Sequence, residues 1–167
     1  MKGFPDHADR CLRIESPVGP LVLLATSKGL AGVFFGHRLG DATLPPSRPN
    51  DPLLLKVSEQ LTEYFSGQRK SFDIPFDVCG TRFQEQVWEQ LRQIPFGSTW
   101  SYGDIARRLS NPGAVRAVGL ANGSNPVSII VPCHRVIGSD GSLTGFGGGL
   151  DIKQKLLVHE GVLLAAF

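Results

Sequence analysis

Pro132-Cys133-His134-Arg135-Val136 sets a thiol next to an imidazole at the end of the apolar run Ile129-Ile130-Val131. Pro132 lacks an N–H and breaks a ladder, so the sequence predicts a strand ending there, with Cys133 and His134 presented at a turn. Only a few per cent of an unperturbed thiol is thiolate near neutral pH, so a nucleophilic cysteine needs a base or a cation beside it. His134 supplies that chemistry. Neighbouring side chains on an extended chain point to opposite faces, so a bridging water would carry the proton between them. A second group belongs to the same chemistry. Glu160 falls in the last turn of a helix predicted over 150–160, where the helix dipole disfavours an acid by roughly 0.3 to 1 kcal/mol. Either it is a solvated surface residue, or it has a cationic partner and orients the far nitrogen of His134, as the orienting acid does in Cys-His enzymes. Cys11 and Cys79 read as small buried hydrophobes, and His159 as a packing or surface residue.

Those residues need a frame. Leu12–Glu15, Leu21–Thr26 and Leu30–Phe35 are short apolar runs separated by Ser-Pro-Val-Gly-Pro and Ser-Lys-Gly, the punctuation of antiparallel hairpins. A loop follows over 36–51. Asp51-Pro52 then opens a helix whose Leu54, Val57, Leu61, Tyr64 and Phe65 recur at helical spacing, and Phe72, Ile74, Phe76 and Val78 alternate as a further strand would. From Cys79-Gly80 onward helix signals dominate. Thr81-x-x-Gln84 is a capping box ahead of the stripe Phe83, Val87, Leu91 and Ile94, and Ser101-x-x-Asp104 opens a short helix to Leu109. The turn Ser110-Asn111-Pro112-Gly113 leads into a helix over 114–122, closed by Gly123. This pair is either a helix-turn-helix or an ordinary helix pair. Ala114, Ala117, Gly119 and Ala121 make its second helix thin, and Arg116 projects from among them. That helix is either tightly packed with a solvent arginine, or able to enter a groove with one cation reaching into a duplex. The expected architecture is α+β: a small antiparallel sheet domain over 1–78 and a mainly helical domain over 79–167.

Composition narrows the function classes. With 41% hydrophobic and 19% charged residues in a chain of 167, there is material for real cores, and disorder and collagen are excluded. Seventeen Lys and Arg against fifteen Asp and Glu give a net charge of +2, so nucleic-acid binding has to come from a local patch. The start, MKGFPDHADR, has no signal-type apolar core, and no apolar run is long enough to span a bilayer, so a cytosolic protein with no membrane partner is expected. Three cysteines without a C-x-x-C pair argue against a disulfide framework and a four-thiolate zinc site. Cys11, His7 and His37 are too scattered for a structural metal, so none is expected, nor any cofactor.

The segment Pro132-Cys133-His134-Arg135-Val136 resembles the active-site signature of the O6-alkylguanine-DNA alkyltransferases, or methylated-DNA-protein-cysteine methyltransferases. Phe83-Gln84 to Leu91, Ile94-Pro95-Phe96-Gly97, Ser101-Tyr102-Gly103, Arg116-Ala117-Val118-Gly119, Asn125-Pro126 and His159-Glu160-Gly161 resemble the family in order and spacing. The resemblance covers 80–162, and the N-terminal part is similar to the family's variable sheet domain more loosely. It implies an enzyme that moves an alkyl group from O6-alkylguanine, and O4-alkylthymine, in double-stranded DNA onto Cys133, once per molecule. His134 would be the water-relayed base, Glu160 its orienting acid, and Asn125 the hinge residue holding the turn. Tyr102 would meet the phosphate of the target nucleotide and Arg116 would fill the gap left by the flipped base. Ala114, Ala117 and Gly119 would line the minor-groove face of a helix-turn-helix. Val136, Phe146 and Gly147 would line the substrate pocket. A monomer is implied, and clustering on DNA stays open.

One departure stands out in Thr144-Gly145-Phe146-Gly147. Some members carry a tyrosine at the place of Phe146, whose hydroxyl can donate to the guanine oxygen, and here backbone N–H groups or another side chain must serve. Two other classes compete. A Cys-His-Glu hydrolase would turn over on esters or amides but gives no account of Arg116, and a non-catalytic binder of damaged DNA has no use for Cys133.

Overall fold

The computed structural model describes residues 4–165 and divides the chain into two compact units, Met1–Cys79 and Gly80–Phe167. In the first, β1 (Arg10–Ile14), β2 (Leu21–Ala25) and β3 (Leu30–Phe35) form an antiparallel sheet in the order β1-β2-β3, with Leu12 opposite Leu23 and Leu23 opposite Val33. Every residue of β2 is buried, so this central strand is covered on both faces. Val22 and Leu24 pack with Cys11 and Leu39, and α1 (Pro52–Phe65) lies against β2 with Leu54, Val57, Leu61 and Tyr64 buried. The Asp51 carboxylate caps α1 by accepting from the Leu54 N–H at 2.9 Å.

The alternating segment 72–78 is not a strand. Only Phe76 bridges Leu30, with Leu30 N–H donating to Pro75 O and Asp77 N–H to Leu30 O. Pro75 has no N–H to continue a ladder, although the alternation does bury Ile74. Gly29 permits the approach, because a Cβ there would stand 2.7 Å from Pro75 O.

The second unit holds α2 (Arg82–Leu91), β4 (Trp100–Ser101), α3 (Tyr102–Arg108), α4 (Val115–Gly123), β5 (Val136–Ile137) and α5 (Leu150–His159). Both capping boxes form, Thr81 with Gln84 and Ser101 with Asp104. Trp88 Nε1 donates to Ala121 O at 2.8 Å and ties α2 to α4, while α3 packs on α4. Two boundaries differ from expectation. Helix α2 stops at Leu91, so Ile94 is buried from the following turn and not from the helix. Gly123 lies inside α4, and the helix starts one residue late with Ala114 as an N-cap that has no side chain to offer. Among the described residues no helix is long and apolar enough to cross a membrane.

Candidate active site

Cys133, His134 and Arg135 form one turn of 3-10 helix leading into β5, which pairs in parallel with β4. The stretch before it is not the expected strand. Val127–Val131 winds through turns in which Ile129 takes φ +72°, a left-handed conformation unfavourable for a β-branched residue. Asn125 organises it. Its amide donates to Val131 O at 2.9 Å and its Oδ1 accepts from the Val127 N–H at 3.0 Å, so side-chain bonds take the places a ladder would have used. Asn122 Nδ2 donates to Cys133 O at 3.4 Å from the end of α4.

The thiol is therefore held, but it is not presented to solvent: Cys133 is 4% exposed. Burial pushes its pKa up, and the Asn125 amide and the Lys153 charge pull the other way without prevailing. The resting group is a thiol. Cys11 is buried as expected, its Sγ donating to Pro45 O at 3.1 Å, whereas Cys79 is exposed and the expectation of a packed residue fails there.

Glu160 is not a surface residue. It is the C-cap of α5, with 4% of its surface exposed. Gly161 at φ +78° closes the helix, its N–H donating to Val158 O while Val162 N–H reaches Leu157 O, the paired bonds of a left-handed cap. That cap turns the Glu160 carboxylate inward. His134 Nε2 lies 2.7 Å from Oε1, and Arg135 donates from Nε to Oε2 at 2.8 Å and from Nη2 to Oε1 at 2.9 Å. Arg135 Nη1 donates in addition to Ile94 O at 2.7 Å. Burial opposes the Glu160 charge, but the bonds from His134 and Arg135 outweigh it and hold the pKa down to about 2. Burial pushes His134 below its ordinary value, against the pull of Glu160. A neutral imidazole facing a carboxylate carries its proton on Nε2, which leaves Nδ1 as a bare lone pair. Nδ1 is buried and has no hydrogen-bond partner.

The expected cationic partner of Glu160 is thus shared. Arg135 supplies the permanent charge, so His134 is free to be neutral at rest and cationic after taking a proton. Reading the sequence did not single out Arg135, although it stands beside His134. Lys153 was also missed. It is fully buried, and its Nζ donates to Val136 O at 2.5 Å and Thr144 O at 2.8 Å, pinning both ends of the 136–144 loop. Burial lowers its pKa to about 8. The signal was a lysine on the same stripe as Ile152, Leu156 and Leu157.

Arg116, Ala117 and Leu120 are exposed on α4, while Val118, Ala121 and Asn122 face inward. Arg116 makes no hydrogen bond or ion pair among the described residues, whereas Arg107 pairs with Asp104 and Arg108 lies over the Trp100 ring. A Cβ at Gly119 would meet the Tyr102 ring at 3.8 Å, an ordinary contact, so packing within the unit does not require glycine there. Ala114 is half-buried at the N-cap. The Tyr102 hydroxyl lies 3.3 Å from Thr144 O and 3.2 Å from Thr144 Oγ1, across from the loop that carries half-buried Phe146 and exposed Gly147. Val136 is fully buried.

An α+β chain with a buried thiol, a neighbouring base and an acid that fixes the base is built to make a covalent bond through cysteine. The comparisons specify which kind. The chain belongs to the methylated-DNA–protein-cysteine methyltransferases: residues 82–162 match the 6-O-methylguanine DNA methyltransferase DNA binding domain, and residues 10–78 match the ribonuclease-like domain of the same family. A relative in Methanosarcina acetivorans named methylated-DNA–protein-cysteine methyltransferase is 49% identical over 88% of this chain and 95% of its own. One of the same name in Mycobacterium leprae is 48% identical over 90% and 91%. The fold superimposes on the crystal structure of Mycobacterium tuberculosis OGT in complex with DNA with a TM-score of 0.82 and 44% identity, covering 92% of this chain and 94% of that one.

Proposed function

We propose that this protein repairs double-stranded DNA by taking the alkyl group of O6-alkylguanine, and of O4-alkylthymine, onto Cys133 in a single irreversible turnover. The observation that carries the proposal is the buried set Cys133, His134, Glu160 and Arg135, whose only unsatisfied nitrogen is the one a general base needs. The Cys133 proton passes through a water to His134 Nδ1, and the imidazolium so formed is stabilised by the carboxylate already bonded to Nε2. The Sγ electron pair attacks the alkyl carbon, the S–C bond forms as the C–O6 bond breaks, and the purine oxygen leaves with the bonding pair and is then protonated. The product is a thioether. It has no water-labile bond, so the enzyme is consumed.

The raised pKa of Cys133 fits this order of events. A thiol sealed from solvent is deprotonated only when a substrate occupies the site, which protects it from adventitious electrophiles. The target base cannot reach it inside the stack, so the nucleotide is flipped out, at about a few kcal/mol. We assign α3 and α4 to a helix-turn-helix in which the thin exposed face of α4, with Ala114, Ala117 and Gly119, enters the minor groove. Arg116, with no internal partner, fills the space the base vacates. Tyr102 meets the target phosphate, and Val136, Phe146 and Gly147 border the alkyl pocket. Asn125 holds the turn. The reading places recognition and transfer in residues 79–167, in a monomer working in the cytoplasm without metal or cofactor in the reaction. The direct test is single-turnover transfer from a duplex carrying one O6-methylguanine, with turnover on esters or amides as the contrary result.

A further inference from the structure

Cys79 poses a question that alkyl transfer does not answer: why a thiol stands exposed where the first unit ends. It is not alone. His7, Asp77 and Cys79 each offer a ligand atom, and these atoms all lie within 4.8 Å of one another. The three come from the two ends of the unit, and ordinary contacts bring them together. The bridge of Leu30 to Phe76 lays residues 75–77 along the end of β3. Thr26 Oγ1 then donates to Asp77 Oδ2 at 2.6 Å, fixing the carboxylate, and His7 Nε2 lies 2.9 Å from Asp77 O and 3.9 Å from Oδ2. Orientation of a carboxylate by a hydroxyl is the kind of outer support that ligands of a metal ion receive.

We infer that His7, Asp77 and Cys79 form a binding site for a divalent ion of the zinc class, with water completing the coordination. The donor set decides the class. One thiolate, one imidazole and one carboxylate suit zinc, whereas magnesium and calcium take all-oxygen sets. Bonds of about 2.0 to 2.3 Å imply ligand-to-ligand edges of roughly 3.3 to 3.8 Å, so the group closes by about 1 Å to 1.5 Å at most. His7 is exposed and preceded by loop, which makes that adjustment cheap. On binding, the S–metal bond replaces the Cys79 S–H bond and the proton is released to solvent. The ion clips the N-terminal segment to the segment that leaves the unit. Its role is structural and independent of alkyl transfer.

Cobalt(II) is the probe, because a bound thiolate gives a sulfur-to-metal charge-transfer band that oxygen and nitrogen ligands do not. The intact chain titrated with Co2+ should show that band at one ion per molecule and lose it when zinc is added. Cys79→Ser should abolish the band. His7→Ala and Asp77→Asn should each weaken binding by about tenfold or more. Cys133→Ser should leave it unchanged, which separates the site from the other Cys-His pair. A band that survives Cys79→Ser, or is lost in Cys133→Ser, would overturn the assignment, as would the absence of any thiolate band. Cys79→Ser and His7→Ala alter exposed side chains, so folding is not at risk, and both should keep transfer activity whatever the ion does.

Discussion

The reactivity proposed for Cys133 rests on what surrounds it and not on exposure. Its neighbours divide the work: Asn125 shapes the turn, His134 offers a lone pair, Glu160 fixes the imidazole, and Arg135 keeps Glu160 charged. Cys133→Ser should therefore abolish transfer while leaving duplex affinity within a few fold, because a hydroxyl is a far weaker nucleophile of similar size. Residual transfer above about a tenth of the parent rate would contradict the role of this thiol, and Cys11→Ser and Cys79→Ser should transfer normally. Glu160→Gln should slow transfer strongly. It should also lower stability, since it strands Arg135 without its counter-charge, and breaking a buried pair costs about 3–5 kcal/mol. The pH profile of the single-turnover rate separates the two effects, because a merely structural role would leave the profile of the folded fraction unchanged. At this scale the sequence was informative about pairs near in number, and about Glu160 through its misfit with the helix dipole. Arg135 was opaque: a charged residue is read as solvated unless its partner, 25 positions away, is known to be near.

Elements were legible where local chemistry alone decides them. Asp51, the two capping boxes and Gly161 each start or stop a helix through bonds to their own backbone, so the residues that make those bonds can be read directly. The strands expected over 72–78 and before Pro132 failed for one reason: alternation and apolarity report burial, but a strand also needs a partner edge. Pro75 interrupts one, and the Asn125 side chain takes the hydrogen bonds of the other. The role proposed for the α3–α4 pair turns on Arg116. If Arg116 fills the hole of a flipped nucleotide, Arg116→Ala should slow repair of duplex DNA much more than transfer from free O6-benzylguanine, which needs no flipping. If it only contacts a phosphate, the variant should mainly weaken duplex binding and reduce the salt slope by about one unit. Single-turnover rates on both substrates at saturating protein decide between them, and equal slowing on both would refute the role assigned to Arg116.

Across the whole molecule, a net charge of +2 gives no long-range field to speak of, so in the proposed function selectivity for DNA has to come from one helix face and the site behind it. The buried charges also set how the fold responds to acid. His134 has its pKa lowered in the folded state, so as pH falls below about 6.5 the unfolded chain takes up a proton the folded one resists, and stability declines. Glu160 acts in the same direction lower down. Its folded pKa of about 2 lies below the usual carboxylate value, so the stability it contributes is present above about 4.5 and is lost as pH falls from there toward 2. Thermal melts from about pH 8 down to about pH 2, the range set by these two groups, should show Tm falling first below about 6.5 and again below about 4.5. A flat Tm across the upper step would contradict a neutral, buried His134. Irreversible transfer to Cys133 would be read out by the mass of the intact protein after mixing with a duplex containing a single O6-methylguanine. Every active molecule should gain the mass of one methyl group in place of one hydrogen, the gain should stop at one, and peptide mapping should put it on Cys133. An unchanged mass while the lesion disappears, or a methyl group found on Cys11 or Cys79, would contradict it.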